Sequence, residues 1–447
     1  MRDDETDLDH IPGDNGPPII NQTLAFLRDA WALDDNLVER FGPVVRTRML
    51  GRTIVLVASA ERVGEVFRDR ERQFSNTYGW GHVLGELFPR GLMLRDFDDH
   101  HRHRRILKTA FSRSARAGYQ GLINRVFVQS LARWAETPSL LFYPAIKQAL
   151  LAQATEVFLG ADPKRHGEML LSCFTDMIRA SLALVRREVP GLAWRRGMQG
   201  RRKLQAFLRA EIPARREGSR PDLFSQLCRA EDEETGARLD DSEIVDHMIF
   251  LLFAAHDTTT SGITALIDEL SARPELLERA AAECCGLEPT GPEGGLDWAQ
   301  LGELDYVERC FREALRLNPP VPYAVRRTVR ACQLGEHPLP ARAPVSVLVR
   351  CPHNDPELWT EPKRFDPERF APERAEDRNH RHAWIPFGSG AHHCLGADLA
   401  TQQAKTFCYH FLRRFEIERV SSPPTKWQAV PLPKPCDGLP LRLHPRA

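Results

Sequence analysis

The chain has 447 residues, 42% hydrophobic and 27% charged, the balance of an ordinary globular protein. Its 61 Lys and Arg offset 61 Asp and Glu, so nothing points to nucleic acid or another polyanionic partner. No run reaches the roughly 18–20 apolar residues that cross a bilayer. The start, MRDDETDLDHIPGDNG, is too acidic for a signal peptide or membrane anchor. A cytoplasmic protein without a membrane anchor is expected, and in that setting its 10 cysteines are not expected to form disulfides.

No internal repeat or low-complexity segment is present. Residues 1–20 are expected to be a flexible N-terminus. RTRMLGRTIVLVAS (46–59) has the β-branched content and turn residues of a small strand pair. From Ala60 to about Ser271 the pattern is mostly helical. Within it, 75–97 reads as a long aromatic-rich loop carrying Tyr78, Trp80, Phe88 and Phe97. DDHHRHRRILKTAFS (98–112) reads as a basic helix face. The clearest helix is expected over 242–272. Asp240 and Glu243 have capping-box spacing, and Arg273-Pro274 ends the run. Such a helix is about 45 Å long, and its middle, MIFLLFAA, is apolar all round and should be buried. GLEPTGPEGG (286–295) is expected to be a surface loop rather than a linker. Residues 319–370 are Pro-rich with short strands, and an amphipathic helix follows Cys394.

One cysteine has distinctive surroundings. In FGSGAHHCLGADLA (387–400), Gly388, Gly390 and Gly396 allow unusual dihedrals and close approach. The helix expected after Cys394 offers N–H groups and a positive dipole end. That is the environment of a stable thiolate. An isolated cysteine in a glycine-rich turn would otherwise read as a small buried apolar residue.

Phe387-x-x-Gly390-x-His392-x-Cys394-x-Gly396 resembles the cysteine-ligand loop of the cytochrome P450 family. His392 stands where the family usually has Arg, which makes a haem-propionate contact there titratable. Glu313-x-x-Arg316 alone reads as a surface ion pair; followed by Arg-Leu-x-Pro-Pro it resembles the family's helix pair. Arg369 of FDPERF is then the third member of a structural set. Ala254-Ala255-His256-Asp257-Thr258 resembles the family's oxygen-activation site, with Ala255 where Gly is preferred. Ala254 and Thr258 are i and i+4. Read without the resemblance, Thr258 would bond back to the carbonyl four residues earlier. His100-x-x-x-Arg104 and Arg326 resemble the family's propionate-holding residues. The remaining cations near Arg104 could face an acidic redox partner.

The resemblance covers nearly the whole chain. It implies a mainly α fold with a small β region, a single domain over 1–447 built around haem b. The iron would be bound by Cys394, with Asp257 and Thr258 managing protons. It implies a monooxygenase using O2 and electrons from a separate ferredoxin- or flavodoxin-type protein. Rival readings are a haem–thiolate peroxygenase or isomerase, and a non-catalytic haem-binding sensor; the Asp257-Thr258 pair argues against both. By family placement the pocket is lined by 75–97, by the long helix around Phe250, Phe253 and Ala254, and by the Val321–Val325 segment, with Val321 the side chain named there. An apolar lining favours a bulky lipophilic substrate, a terpenoid, retinoid, steroid or fatty acid.

Overall fold

The computed structural model describes residues 7–446 apart from positions 19, 138, 162, 182 and 184. They form two compact units, one drawn from 1–82, 312–394 and 426–436, the other from 83–311, 395–425 and 437–447.

The first unit holds most of the β structure. Six strands pair in the order Gly13–Asp14, Val44–Met49, Arg52–Val57, Pro344–Leu348, Tyr323–Thr328 and Phe74–Ser75. The hairpin expected within 46–59 is the Val44–Met49 and Arg52–Val57 pair, with Val45 opposite Leu56. Alternation gives this sheet two apolar faces. Val55, Val57, Val345 and Val347 pack on Val63, Val66 and Phe67 of the helix Ala60–Arg68. Val45, Leu56 and Leu348 pack on Phe26, Leu33 and Leu37 of the helix Thr23–Phe41. Leu8 and Ile11 join the first of these clusters, and Gly13–Asp14 pairs with the strand beside it. The described part of the expected flexible start is therefore anchored, because two apolar side chains three residues apart find a core; residues 1–6 lie outside the described residues.

The second unit is helical. Its main helices are Phe97–Thr109, Arg113–Ala135, Phe142–Gln153, Pro163–Ser181, Ala193–Glu217, Asp241–Ser271 and Ala397–Arg414. The long helix spans 31 residues and opens on the expected capping box. Glu243 N donates to Asp240 Oδ1 at 2.7 Å, and Asp240 N donates to Glu243 Oε2 at 3.0 Å. It packs against Phe142–Gln153, Ala193–Glu217 and Ala397–Arg414. Phe407 and Phe411 of the last of these stack at 4.9 Å and meet Trp134 and Phe142 in one aromatic cluster.

The stretch 75–97 is not a long loop. It contains the helix Asn76–Leu84 and a short turn of helix at Leu92–Leu94. Gly79 and Gly81 lower local helix propensity and hid it. Gly79 is there for close approach, since a Cβ would lie 2.7 Å from the Val325 carbonyl oxygen. Of the surface loop expected over 286–295, residues 286–294 stay at the surface, with a single turn at Pro292–Gly294, whereas Gly295 is buried. Among the described residues no helix is long and apolar enough to cross a membrane.

Candidate active site

In the first unit the cysteine loop is held from several sides. Cys394 N donates to Phe387 O at 2.8 Å and Gly388 N to Ile385 O at 2.9 Å. Gly390 has φ +69, and a Cβ on it would sit 2.0 Å from the Phe67 carbonyl oxygen, so only glycine fits. His392 Nδ1 lies 2.7 Å from Asn76 Nδ2. The amide nitrogen is the donor, which leaves the ring hydrogen on Nε2. Arg326 is buried on the strand Tyr323–Thr328, with its guanidinium 5.6 Å over the Phe67 ring. Phe67, Asn76, Gly390, His392 and Arg326 thus form one neighbourhood; Asn76 and Phe67 carry no motif and were not legible in the sequence. Val321 stands in the same unit, 36% exposed, two residues before that strand.

The cysteines separate by environment. Burial pushes the thiols of Cys173, Cys228, Cys284, Cys310, Cys332, Cys351 and Cys408 up, Cys332 to about 11 and Cys228 and Cys351 to about 12. Those seven are held as thiols. Cys285, Cys394 and Cys436 are exposed. Cys285 is the last residue of its helix, the negative dipole end. Cys436 follows a short strand. Cys394 alone of the three immediately precedes a helix start, two residues before the N-cap Gly396. Its donor chemistry fits a soft metal that binds thiolate.

Glu313, Arg316 and Arg369 come together, all fully buried. Arg316 grips Glu313 with two bonds, Nε to Oε2 at 2.7 Å and Nη2 to Oε1 at 2.8 Å. Arg369 Nε adds a third to Oε1 at 3.1 Å. Glu376 joins as a fourth member, accepting from Arg369 Nη1 at 3.0 Å. His353 connects the set to the cysteine loop. Its Nδ1 lies 3.0 Å from Arg316 O, and its Nε2 accepts from Ile385 N at 2.8 Å. Burial, then the charge of Arg316, lowers its pKa to about 3, so it is a neutral bridge. Neither His353 nor Glu376 stands in a recognisable motif.

In the second unit, every residue of the long helix from Ile244 to Asp268 is buried except Phe253, Ala254, Ala255 and Thr258. Those four keep part of their surface uncovered by protein, on the stretch that the sequence singled out. Small Ala254 and Ala255 beside an alcohol suit a flat apolar cofactor and a small gas. Thr258 Oγ1 donates to Ala254 O at 2.7 Å, leaving its oxygen free to accept. Asp257 is one residue earlier, about 100° around the helix, and it faces elsewhere than Thr258. Its Oδ1 lies 2.6 Å from Lys147 Nζ on the helix Phe142–Gln153, and 3.4 Å from His256 Nδ1. Asp257 is nearly buried while Lys147 is 33% exposed, so the pair runs from surface to interior. Lys147 was missed because an isolated lysine on an amphipathic helix carries no signal.

Phe88 is buried against this helix, 4.2 Å from Phe253 and 6.5 Å from Phe250 between ring centroids. Gly91 seats on Phe250, where a Cβ would clash at 2.6 Å. The cations of this stretch are neutralised: Arg90 bonds Asp246 at 2.8 Å and Arg95 bonds Asp99 at 2.8 and 2.9 Å. The wall is therefore apolar and aromatic. On the helix Phe97–Thr109, His100 is buried and Arg104 half-buried. His103 of that helix meets His247 of the long helix, Nδ1 to Nε2, at 2.9 Å. Burial lowers both pKa values, that of His103 to about 4.

A family model described as Cytochrome P450 matches residues 16–436. A Mycobacterium tuberculosis protein named cytochrome P450 136 is 37% identical over 448 residues, 98% of this chain and 89% of its own. Ent-kaurenoic acid oxidase 1 of Arabidopsis thaliana is 26% identical, covering 97% and 90%. The solved structure of retinoic-acid-bound cyanobacterial CYP120A1 superposes with a TM-score of 0.86 at 27% identity, covering 97% of this chain and 99% of that one. The family model spans both units and the motifs fall in their expected order; this chain belongs to the cytochrome P450 family of haem b monooxygenases.

Proposed function

We propose that this cytochrome P450 hydroxylates a bulky lipophilic molecule, a terpenoid, retinoid, steroid or fatty acid. The observation that carries this is the partly uncovered face of the long helix at Phe253, Ala254, Ala255 and Thr258, beside the aromatic wall of Phe88 and Phe250. Such a wall has few groups to pair with a polar ligand, and unpaired polar groups are costly to bury. The names of two relatives agree: one structure is retinoic-acid-bound, and one protein is an ent-kaurenoic acid oxidase. Val321 is assigned to the same lining by family placement.

Cys394 would bind the iron as thiolate, and His100, Arg104, Arg326 and His392 would hold the propionates. Bound haem supplies the activation of O2 with two electrons and the transfer of one oxygen atom to substrate. The chain's own groups do the rest. Thr258, its hydrogen given to the Ala254 carbonyl, accepts and holds a hydrogen bond on the uncovered face. Asp257, paired with half-exposed Lys147, brings protons inward from the surface. The Glu313, Arg316 and Arg369 set holds the cysteine loop through His353. The electrons come from a separate ferredoxin- or flavodoxin-type donor. The family model crosses both units, which supports reading 1–447 as one functional domain. Titrating the ferric protein with such lipids and with small polar compounds tests the substrate class. Lipids should displace the iron-bound water and shift the Soret band; a shift with small polar compounds alone would reject it.

A further inference from the structure

His256 lies within the stretch 254–258 but has no role so far. It is 6% exposed, as is Asp257 beside it, and both side chains reach the helix Phe142–Gln153. His256 Nε2 lies 3.0 Å from the Lys147 carbonyl oxygen. A carbonyl only accepts, so Nε2 carries the ring hydrogen. Burial lowers the His256 pKa, against the opposing pull of the Asp257 charge, so the ring is neutral and Nδ1 is bare. That lone pair faces Asp257 Oδ1 at 3.4 Å. Two buried acceptors that face each other are costly unless a hydrogen lies between them. Lys147 Nζ reaches the same oxygen at 2.6 Å, but too obliquely for a directed hydrogen bond, and Oδ1 is left without one. Lys147 thus meets His256 through its carbonyl and Asp257 through its ammonium. Tyr143, one turn earlier on the same helix, also feels Asp257. Burial and that charge push its hydroxyl up to about 12, so it stays a neutral phenol.

We infer that His256 is a positioning residue for proton delivery: its Nδ1 accepts the hydrogen of protonated Asp257 and holds that acid loaded. The carboxylate form of Asp257 has Lys147 as its partner, and the acid form has His256. A group with a fixed partner in each state passes a proton without rearranging its surroundings. In the loading step Lys147 gives a proton to Asp257. An N–H bond breaks and an O–H bond forms on Oδ1. The amine that remains, one-third exposed, regains its proton from water, and no electron changes hands. His256 acts through Asp257 alone, so the inference rests on reading Asp257 as a proton carrier and not on the substrate class. A histidine that merely tied the two helices together would matter through its Nε2 bond to the Lys147 carbonyl instead.

Two amides separate the two nitrogens. Asn puts an acceptor oxygen near the place of Nδ1, and Gln puts a donor nitrogen near that of Nε2. Haem-loaded protein is supplied with electrons by a surrogate ferredoxin and its reductase, without added lipid, and the ratio of peroxide to water formed from O2 is read. His256→Gln should raise that ratio about fivefold, the worth of one hydrogen bond, and Asp257→Leu should raise it at least as far. His256→Asn, which keeps the acceptor, should recover most of the loss. The reverse order, with Gln near the parent and Asn impaired, would reduce His256 to a tie between helices and overturn the inference. Nitrogen NMR of the reduced, carbon-monoxide-bound protein carrying isotopically labelled histidine needs neither turnover nor a stable variant for its main reading. The parent should show His256 with hydrogen on Nε2 and a hydrogen-bonded Nδ1, and Asp257→Leu should shift the Nδ1 signal. Hydrogen found on Nδ1, or an Nδ1 signal unmoved by Asp257→Leu, would also overturn it. A ratio unchanged in Asp257→Leu would reject the proton-carrier reading itself, whereas a ratio unchanged in His256→Gln alone would reject only the role of His256.

Discussion

At the scale of single residues, helical phase separates two neighbours that the motif runs together. Thr258 bonds Ala254 and sits on the uncovered face, whereas Asp257 reaches Lys147. Thr258→Ala should retain haem and bind ligand while diverting reducing equivalents to peroxide; tight coupling in that variant would remove Thr258 from proton handling. Lys147→Met leaves a nearly buried carboxylate without its cation. It should slow turnover with unchanged haem content, and turnover equal to the parent would show that Lys147 has no part in the proton route. A different carboxylate makes a testable stability claim. Asp34 is buried and accepts from Tyr323 Oη at 2.7 Å, and burial raises its pKa to about 7. A raised acid favours the folded state at low pH and loses that contribution as pH climbs from the ordinary carboxylate range through about 7. Asp34→Asn should therefore gain stability relative to the parent as pH rises across that window and hold the gain above it, as read by thermal melts. A difference independent of pH would show that Asp34 is ionised throughout.

At the scale of elements, the buried ion set is joined through His353 to Ile385, just before the cysteine loop. Breaking one side of a buried ion pair typically costs about 3–5 kcal/mol, and Glu313 accepts from Arg316, Arg369 and the Asp366 amide together. Glu313→Ala should yield haem-poor, aggregation-prone protein, checked by the ratio of Soret to protein absorbance. Normal haem loading would make the set dispensable. The elements differed in how plainly the sequence wrote them. The long helix was legible to within a residue at each end, because a capping box and an Arg-Pro stop are local chemistry. Glu313 and Arg316 were legible as i, i+3 neighbours, and Arg369 through its motif. The helix Asn76–Leu84 was not, because its Gly79 answers to the approach of a strand far along the chain. Lys147, His353 and Asn76 were invisible for the same reason: each matters through a partner over 30 residues away.

At the scale of the molecule, several buried histidines are folded in neutral form. Burial lowers His353 to about 3 and His103, His382 and His410 to about 4. A histidine whose folded pKa is depressed contributes fully above its unfolded value near 6.5. That contribution is lost as pH falls from there toward about 4. Stability should thus drop steadily from pH 6.5 toward 4, opposing the trend of Asp34; a melting temperature that rises on acidification across this range would contradict it. What unites residues, elements and units is the assignment of Cys394 as the thiolate that binds haem iron. Its most direct test is the spectrum of the dithionite-reduced protein with carbon monoxide, recorded for the parent, Cys394→Ala, Cys285→Ala and Cys436→Ala. The parent and the two variants at the other exposed cysteines should show the red-shifted Soret band of thiolate ligation, and Cys394→Ala should lose it. The same band retained in Cys394→Ala, or lost in either of the other two, would contradict the account.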